Sequence, residues 1–104
     1  MDMQLLAERL EALGNETRLR IYRQVVRAGL GGVSVGTVQS RTGVPRSTLS
    51  HHLHKLIGVG LIRQRREGTT LFCVAEYEVM RETLGFLDRE CCADQPDTAA
   101  DAAD

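Results

Sequence analysis

Three cysteines and a cluster of cations are the residues of this chain whose types and spacing bear chemistry. Cys91 and Cys92 are adjacent in DRECCADQ, residues 88–95, and Cys73 lies 18 residues before Cys91 in TTLFCVA. Soft thiolates select soft metals and metalloids, and free thiols are also the groups that oxidants and electrophiles attack. An odd number of cysteines argues against a disulfide framework. The plain alternative for Cys73 is a small buried hydrophobe, a common fate of free cysteine; for Cys91 and Cys92 it is an incidental pair at a helix end. Nearby Asp88, Glu90 and Asp94 discourage thiolate formation.

The cations gather elsewhere. Residues 34–68 hold Arg41, Arg46, Lys55, Arg63, Arg65 and Arg66 against Glu67 alone, six positive charges less one, with His51, His52 and His54 among them. The whole chain carries −1, but four aspartates fall in residues 93–104, so the body before them carries +3. Such an asymmetry is the footprint of a surface that binds a polyanion. The three histidines do not make a metal site, because no Cys, Asp or Glu stands near them and their side chains diverge around a helix.

Helical spacing of Met3, Leu6, Leu10 and Leu13 predicts a first helix closed by Gly14. Asn15 suits the N-cap of a second, with Leu19, Tyr22, Val25 and Val26 as its buried stripe. After the GLGG loop at 29–32, Ser34 caps a short third helix that buries Val35 and Val38 and ends near Gly43. Pro45 opens a fourth helix that runs to about Val59. Beyond Gly60 the period changes to two: LIRQRRE and TTLFCVA read as a β-hairpin turning through Glu67-Gly68. Residues 76–91 return to helical spacing, with Tyr77, Met80, Leu84, Leu87 and Cys91 as a seam for another helix.

The third and fourth helices have the spacing of a helix-turn-helix, whose second helix enters the DNA major groove. At 100° per residue Leu49, Leu53, Leu56 and Ile57 share the core face. Ser47, His51, His54 and Lys55 fall opposite, with Thr48 at the margin and Arg46 in the first turn. All of these side chains are able to donate hydrogen bonds to bases or phosphates. His52 leans toward the buried margin and is expected to be packed and hydrogen-bonded. Arg63, Arg65 and Arg66 belong to the hairpin, which would be the wing that grips flanking phosphate or the minor groove. The expected fold is therefore mainly α with a small β-hairpin, a winged helix-turn-helix in the order α-α-α-α-β-β-α.

At 104 residues, with 42% hydrophobic and 4% aromatic residues, the chain has a modest core that a partner subunit would complete. Residues 1–92 are expected to form one DNA-binding and dimerisation domain, and 93–104 a disordered acidic tail. The N-terminal MDMQLLAERLEAL is charged throughout, unlike a signal peptide or anchor, so the expectation is a cytoplasmic protein with no membrane partner and reduced thiols. There is no phosphate-binding Gly loop, nucleophile elbow or acid–base pair, which points away from an enzyme.

Three stretches resemble the ArsR/SmtB family of small dimeric winged-helix repressors: ALGNETRLRIYRQVV, GVPRSTLSHHLHKLIGVGLI and RREGTTLFCV. The resemblance covers about residues 5–92. It implies a homodimer joined by the first and last helices, bound to an inverted-repeat operator on double-stranded DNA without any cofactor. It also implies release when an inducer binds. The family's Cys-x-Cys arsenite site would fall at Ser34-Val35-Gly36, so that site is absent, and the last helix has no His for the family's zinc site. What remains is Cys73, Cys91 and Cys92, which resembles a branch induced by a trivalent arsenical or antimonite. Inorganic arsenite accepts three sulfurs and a methylated arsenical two. The site lies within one subunit or between two, and an oxidant or electrophile acting on the same thiols is the alternative inducer.

Overall fold

Five helices and a three-stranded antiparallel sheet make up the computed structural model, which describes residues 1–96. Helix α1 (Met3–Leu13) starts at Asp2, whose carboxylate accepts from the Leu5 amide at 2.7 Å, and α2 (Glu16–Ala28) starts at Asn15, which caps the Arg18 amide at 2.9 Å. Both satisfy amides that a helix start leaves without partners. Helix α3 (Val35–Thr42) is capped by Ser34 and stopped by Gly43 in the left-handed conformation, φ 71°. Helix α4 (Arg46–Gly58) follows at once, with Pro45 as its N-cap rather than inside its first turn.

The sheet has one strand more than the hairpin that sequence periodicity predicts. Val33–Ser34, β1, pairs antiparallel with β3 (Thr70–Ala75), which also pairs with β2 (Ile62–Glu67), giving the order β1-β3-β2. Glu67 is still in the ladder opposite Thr70, so the wing turns through Gly68-Thr69, one residue later than predicted, with Gly68 at φ 61°. A glycine at the first central position of a two-residue turn matches the twist of the flanking strands. Gly32 leads into β1 at φ 79°, and a Cβ there would stand 3.0 Å from both the Cys73 carbonyl and a Val74 methyl. Gly32→Ala is therefore expected to lower the melting temperature, since the left-handed backbone alone costs about 1–2 kcal/mol; a thermal melt checks it.

The core joins Ile21 and Val25 of α2, Val38 of α3, Leu49, Leu53 and Leu56 of α4, and Leu61, Ile62 and Cys73 of the wing. Two expected stripes are displaced. On α2 Leu19 is exposed while Arg18 is buried, because Arg18 is tied to the Ala12 carbonyl through its Nε at 2.6 Å. On α1 the buried residues are Leu6 and Ala12, and Met3 and Leu10 stay exposed.

Helix α5 (Tyr77–Arg89) returns across the molecule to α1. Tyr77 anchors its start by donating to the Val26 carbonyl at 2.7 Å, and Met80 is half-buried. Leu84 and Leu87, 59% and 63% exposed, have no cover among the described residues. With Met3 and Leu10 they leave apolar surface on the first and last helices, where the expected dimer seam lies. No helix among the described residues is long and apolar enough to cross a membrane. The expected disordered tail falls, from residue 97 onward, outside the described residues.

Candidate nucleic-acid interface and thiol pair

Helix α4 turns Leu49, Leu53 and Leu56 into the core and leaves Arg46, Ser47, Thr48, His51 and His54 exposed, as the helical period predicts. Arg46, in the first turn, does not stand alone. It shares an open cleft of about 320 Å³ with Arg66 of the wing and with Ser34, Thr69 and Thr70. Two guanidiniums and the hydroxyls of Thr69 and Thr70 around one cleft are donors matched to a phosphate backbone. Ser34 lines the cleft but acts as the helix cap that the sequence predicts, its hydroxyl donated to Thr37 at 2.8 Å. Sequence reasoning misses the two threonines, which flag themselves only by following the turn glycine at the wing tip.

The two wing arginines separate, because successive strand residues face opposite sides of the sheet. Arg66 faces the recognition helix. Arg65 folds back on the wing: its Nε donates to Glu67 at 2.6 Å, an NH2 donates to the Gly31 carbonyl at 2.9 Å, and its guanidinium lies 5.2 Å from the centre of the Phe72 ring. Two of the five N–H donors of Arg65 are thus engaged within the molecule, and its charge is paired with Glu67. Arg63 pairs with Glu76.

The other margin of α4 meets α1 and α2. His52 is half-buried and its Nδ1 lies 3.1 Å from the Arg18 guanidinium, the packed histidine that the helical phase predicts. Burial, and then the positive charge of Arg18, push its pKa below the usual histidine range. Neutral His52 accepts at Nδ1 from a group that can only donate. Lys55 is also drawn to this side, where its Nζ donates to Glu11 of α1 at 2.6 Å. Arg18 joins the same carboxylate at 3.8 Å.

The thiols divide. Cys73 is wholly buried at the middle of the sheet, between Val33 and Gln64, and Gln64 Nε2 donates to its sulfur at 3.7 Å. Burial pushes its pKa up, with the Gln64 contact opposing more weakly. Cys91 and Cys92 lie beyond the end of α5, their sulfurs 3.8 Å apart and both exposed. The helix stops at Arg89, two residues short of the expected end, so Cys91 leaves the seam it was predicted to extend. Cys92 takes a left-handed φ of 61°, which turns its side chain back beside its neighbour. The structure therefore brings together two thiols, not three, and no group of three metal-ligating side chains forms among the described residues of one chain. Reaction of the native protein with a thiol reagent at pH 8 is expected to label two cysteines rapidly and the third only after unfolding. Counting labels by intact mass checks this.

Comparison with known proteins agrees with this geometry. The profile of a helix-turn-helix domain matches residues 13–65. A putative arsenical resistance operon repressor of Halobacterium salinarum is 35% identical over 80 residues, which are 75% of this chain and 66% of that protein, just under two thirds of its length. An ArsR-like transcriptional regulator from Rhodococcus superposes with a TM-score of 0.79 at 27% identity, over 93% of this chain and 89% of that one. A homodimeric winged helix-turn-helix DNA-binding domain from Mycobacterium bovis, described as a possible ArsR-family regulator, superposes at 0.68 with 27% identity over 85% and 82%. The recognition helix, its basic wing and these likenesses lead to one conclusion: the chain belongs to the ArsR family of winged-helix, DNA-binding transcriptional regulators.

Proposed function

We propose that this protein is a homodimeric repressor that leaves an inverted-repeat operator when a trivalent arsenical is captured by Cys91 and Cys92. The observation that carries the reading is the vicinal pair, two exposed sulfurs 3.8 Å apart at the end of α5. A trivalent arsenical with two replaceable hydroxyls would form two As–S bonds there, each thiol proton leaving with a hydroxyl as water. Two convergent thiols suit a methylated arsenical, whose third position is already filled by carbon; arsenite or antimonite would keep one hydroxyl there unless a third sulfur came from elsewhere. The arsenical resistance repressor among the relatives supports the same class of inducer.

The uncovered leucines of α5 tie this end to regulation. Leu84 and Leu87 precede the pair on a helix that packs on α1, so a ligand gathered at Cys91-Cys92 acts beside the expected dimer seam. Changing that seam changes the spacing of the two recognition helices on their half-sites. The inducer works only to the extent that it binds the DNA-free form more tightly.

The test is operator release, followed by fluorescence anisotropy, with methylarsenite, arsenite, antimonite, zinc and peroxide in parallel. Release by methylarsenite at the lowest concentration is the expected result. Release by peroxide with no response to any arsenical would replace the proposal with a thiol redox sensor of the same fold.

A further inference from the structure

Lys55 sits at the edge of the DNA-facing side of α4, yet its ammonium is spent inside the molecule. We propose that Glu11 of α1 competes with DNA phosphate for Lys55, so that this one carboxylate sets both the affinity and the salt dependence of DNA binding. The inference rests on the reading of α4 as the helix that contacts DNA and adds to it a residue from outside the helix-turn-helix.

Glu11 is a placed carboxylate, not a wandering one. Helix α1 is docked on the end of α4 by Arg9, whose Nε donates to the Val59 carbonyl at 2.7 Å. Next to Glu11, Ala12 is fully buried and its carbonyl is held by Arg18 at 2.6 Å. Arg18 also reaches Glu11 itself at 3.8 Å and His52 at 3.1 Å. One buried arginine thereby sets a positive charge beside the carboxylate of α1, next to the same turn of α4 that carries Lys55. The Lys55 hydrogen bond is the largest influence holding the Glu11 pKa below the usual carboxylate range, with the positive charges of Lys55 and Arg18 acting the same way.

The pair is also exchangeable. The Glu11 side chain is 57% exposed and that of Lys55 39%, and ion pairs so open to water are weak. A phosphate arriving along α4 offers Lys55 an alternative partner in a much stronger field. Counterion release rewards that exchange by a slope of about 0.9 in log affinity against log salt, worth about five-fold at 0.15 M salt. Glu11 opposes it, so part of that gain is withheld in the wild type.

The experiment is a salt titration on random-sequence duplex DNA with the wild type, Glu11→Gln, Lys55→Met, the double variant and Glu8→Gln, all confirmed folded by circular dichroism. Glu11→Gln is expected to bind up to about five-fold tighter at 0.15 M salt with a slope steeper by up to about 0.9 per subunit. Neither change should appear when Glu11→Gln is added to Lys55→Met. The proposal is overturned if Glu11→Gln matches the wild type while the wild type still binds with a steep slope. It is equally overturned if the gain persists without Lys55, or if Glu8→Gln reproduces it, since either result marks a general charge effect. Absence of salt-dependent binding by every protein would overturn it together with the DNA-contact reading on which it rests.

Discussion

Cys91→Ser and Cys92→Ser are each expected to abolish arsenical-triggered release while leaving operator affinity unchanged. With one thiol gone the second As–S bond becomes intermolecular, and the advantage of a second group held at millimolar effective concentration or more is lost. Micromolar methylarsenite that frees wild-type protein from DNA should then do nothing to either variant. Both residues are exposed and outside the core, so neither variant should melt earlier. Cys73→Ser is the contrasting case. Its hydroxyl would be buried in the core with only the Gln64 amide close by, at roughly 1–3 kcal/mol, so the protein should melt earlier yet still respond. Loss of response in Cys73→Ser with both other thiols intact would restore a three-thiol site. Anisotropy with and without methylarsenite, beside thermal melts of the three variants, separates these outcomes.

The second large effect is on DNA. Arg46 and Arg66 reach the same cleft from the recognition helix and the wing, and each is exposed. Removing both as Arg46→Ala/Arg66→Ala should lower the salt slope by about 1.8 per subunit, and affinity roughly thirty-fold at 0.15 M salt, if each neutralises one phosphate. The fold should tolerate the change, because exposed side chains contribute within about 0.5 kcal/mol. Arg65→Ala should act differently. Its charge is paired with Glu67 and two of its donors are held by Glu67 and Gly31, so the salt slope should move less than for Arg66→Ala. Equal slopes for the two single variants would mean that Arg65 swings out to bind phosphate.

What could be read from the sequence follows the range of the forces involved. Caps at Asn15 and Ser34, the stop at Gly43 and the core face of Leu49, Leu53 and Leu56 are local or periodic, and all stand as read. Strand β1 is two residues long and exists only because Val33 and Ser34 find Cys73 and Phe72 some 40 positions away, for which periodicity carries no signal. Burial of Arg18 is the same kind of event, a cation on the buried side of α2 made tolerable by a carbonyl of α1. Of the DNA set, Arg46, Ser47, Thr48, His51 and His54 are exposed as helical phase predicts, whereas Lys55 and Arg65 are diverted by carboxylates that phase alone does not reveal. For the thiols, an α5 two residues longer would have kept Cys91 on the seam; its end at Arg89 is a matter of fraying that no spacing rule resolves.

That early end of α5 has an evolutionary consequence. Residues 90–95 are exposed throughout, so no core side chain must be repacked when they change. The recognition helix is bound by its packing to a narrow set of residues, but the thiol pair proposed to take the signal hangs on a few exposed turns. On that proposal, selection can rewrite those turns, exchange one soft ligand for another or delete the response without disturbing the helix-turn-helix.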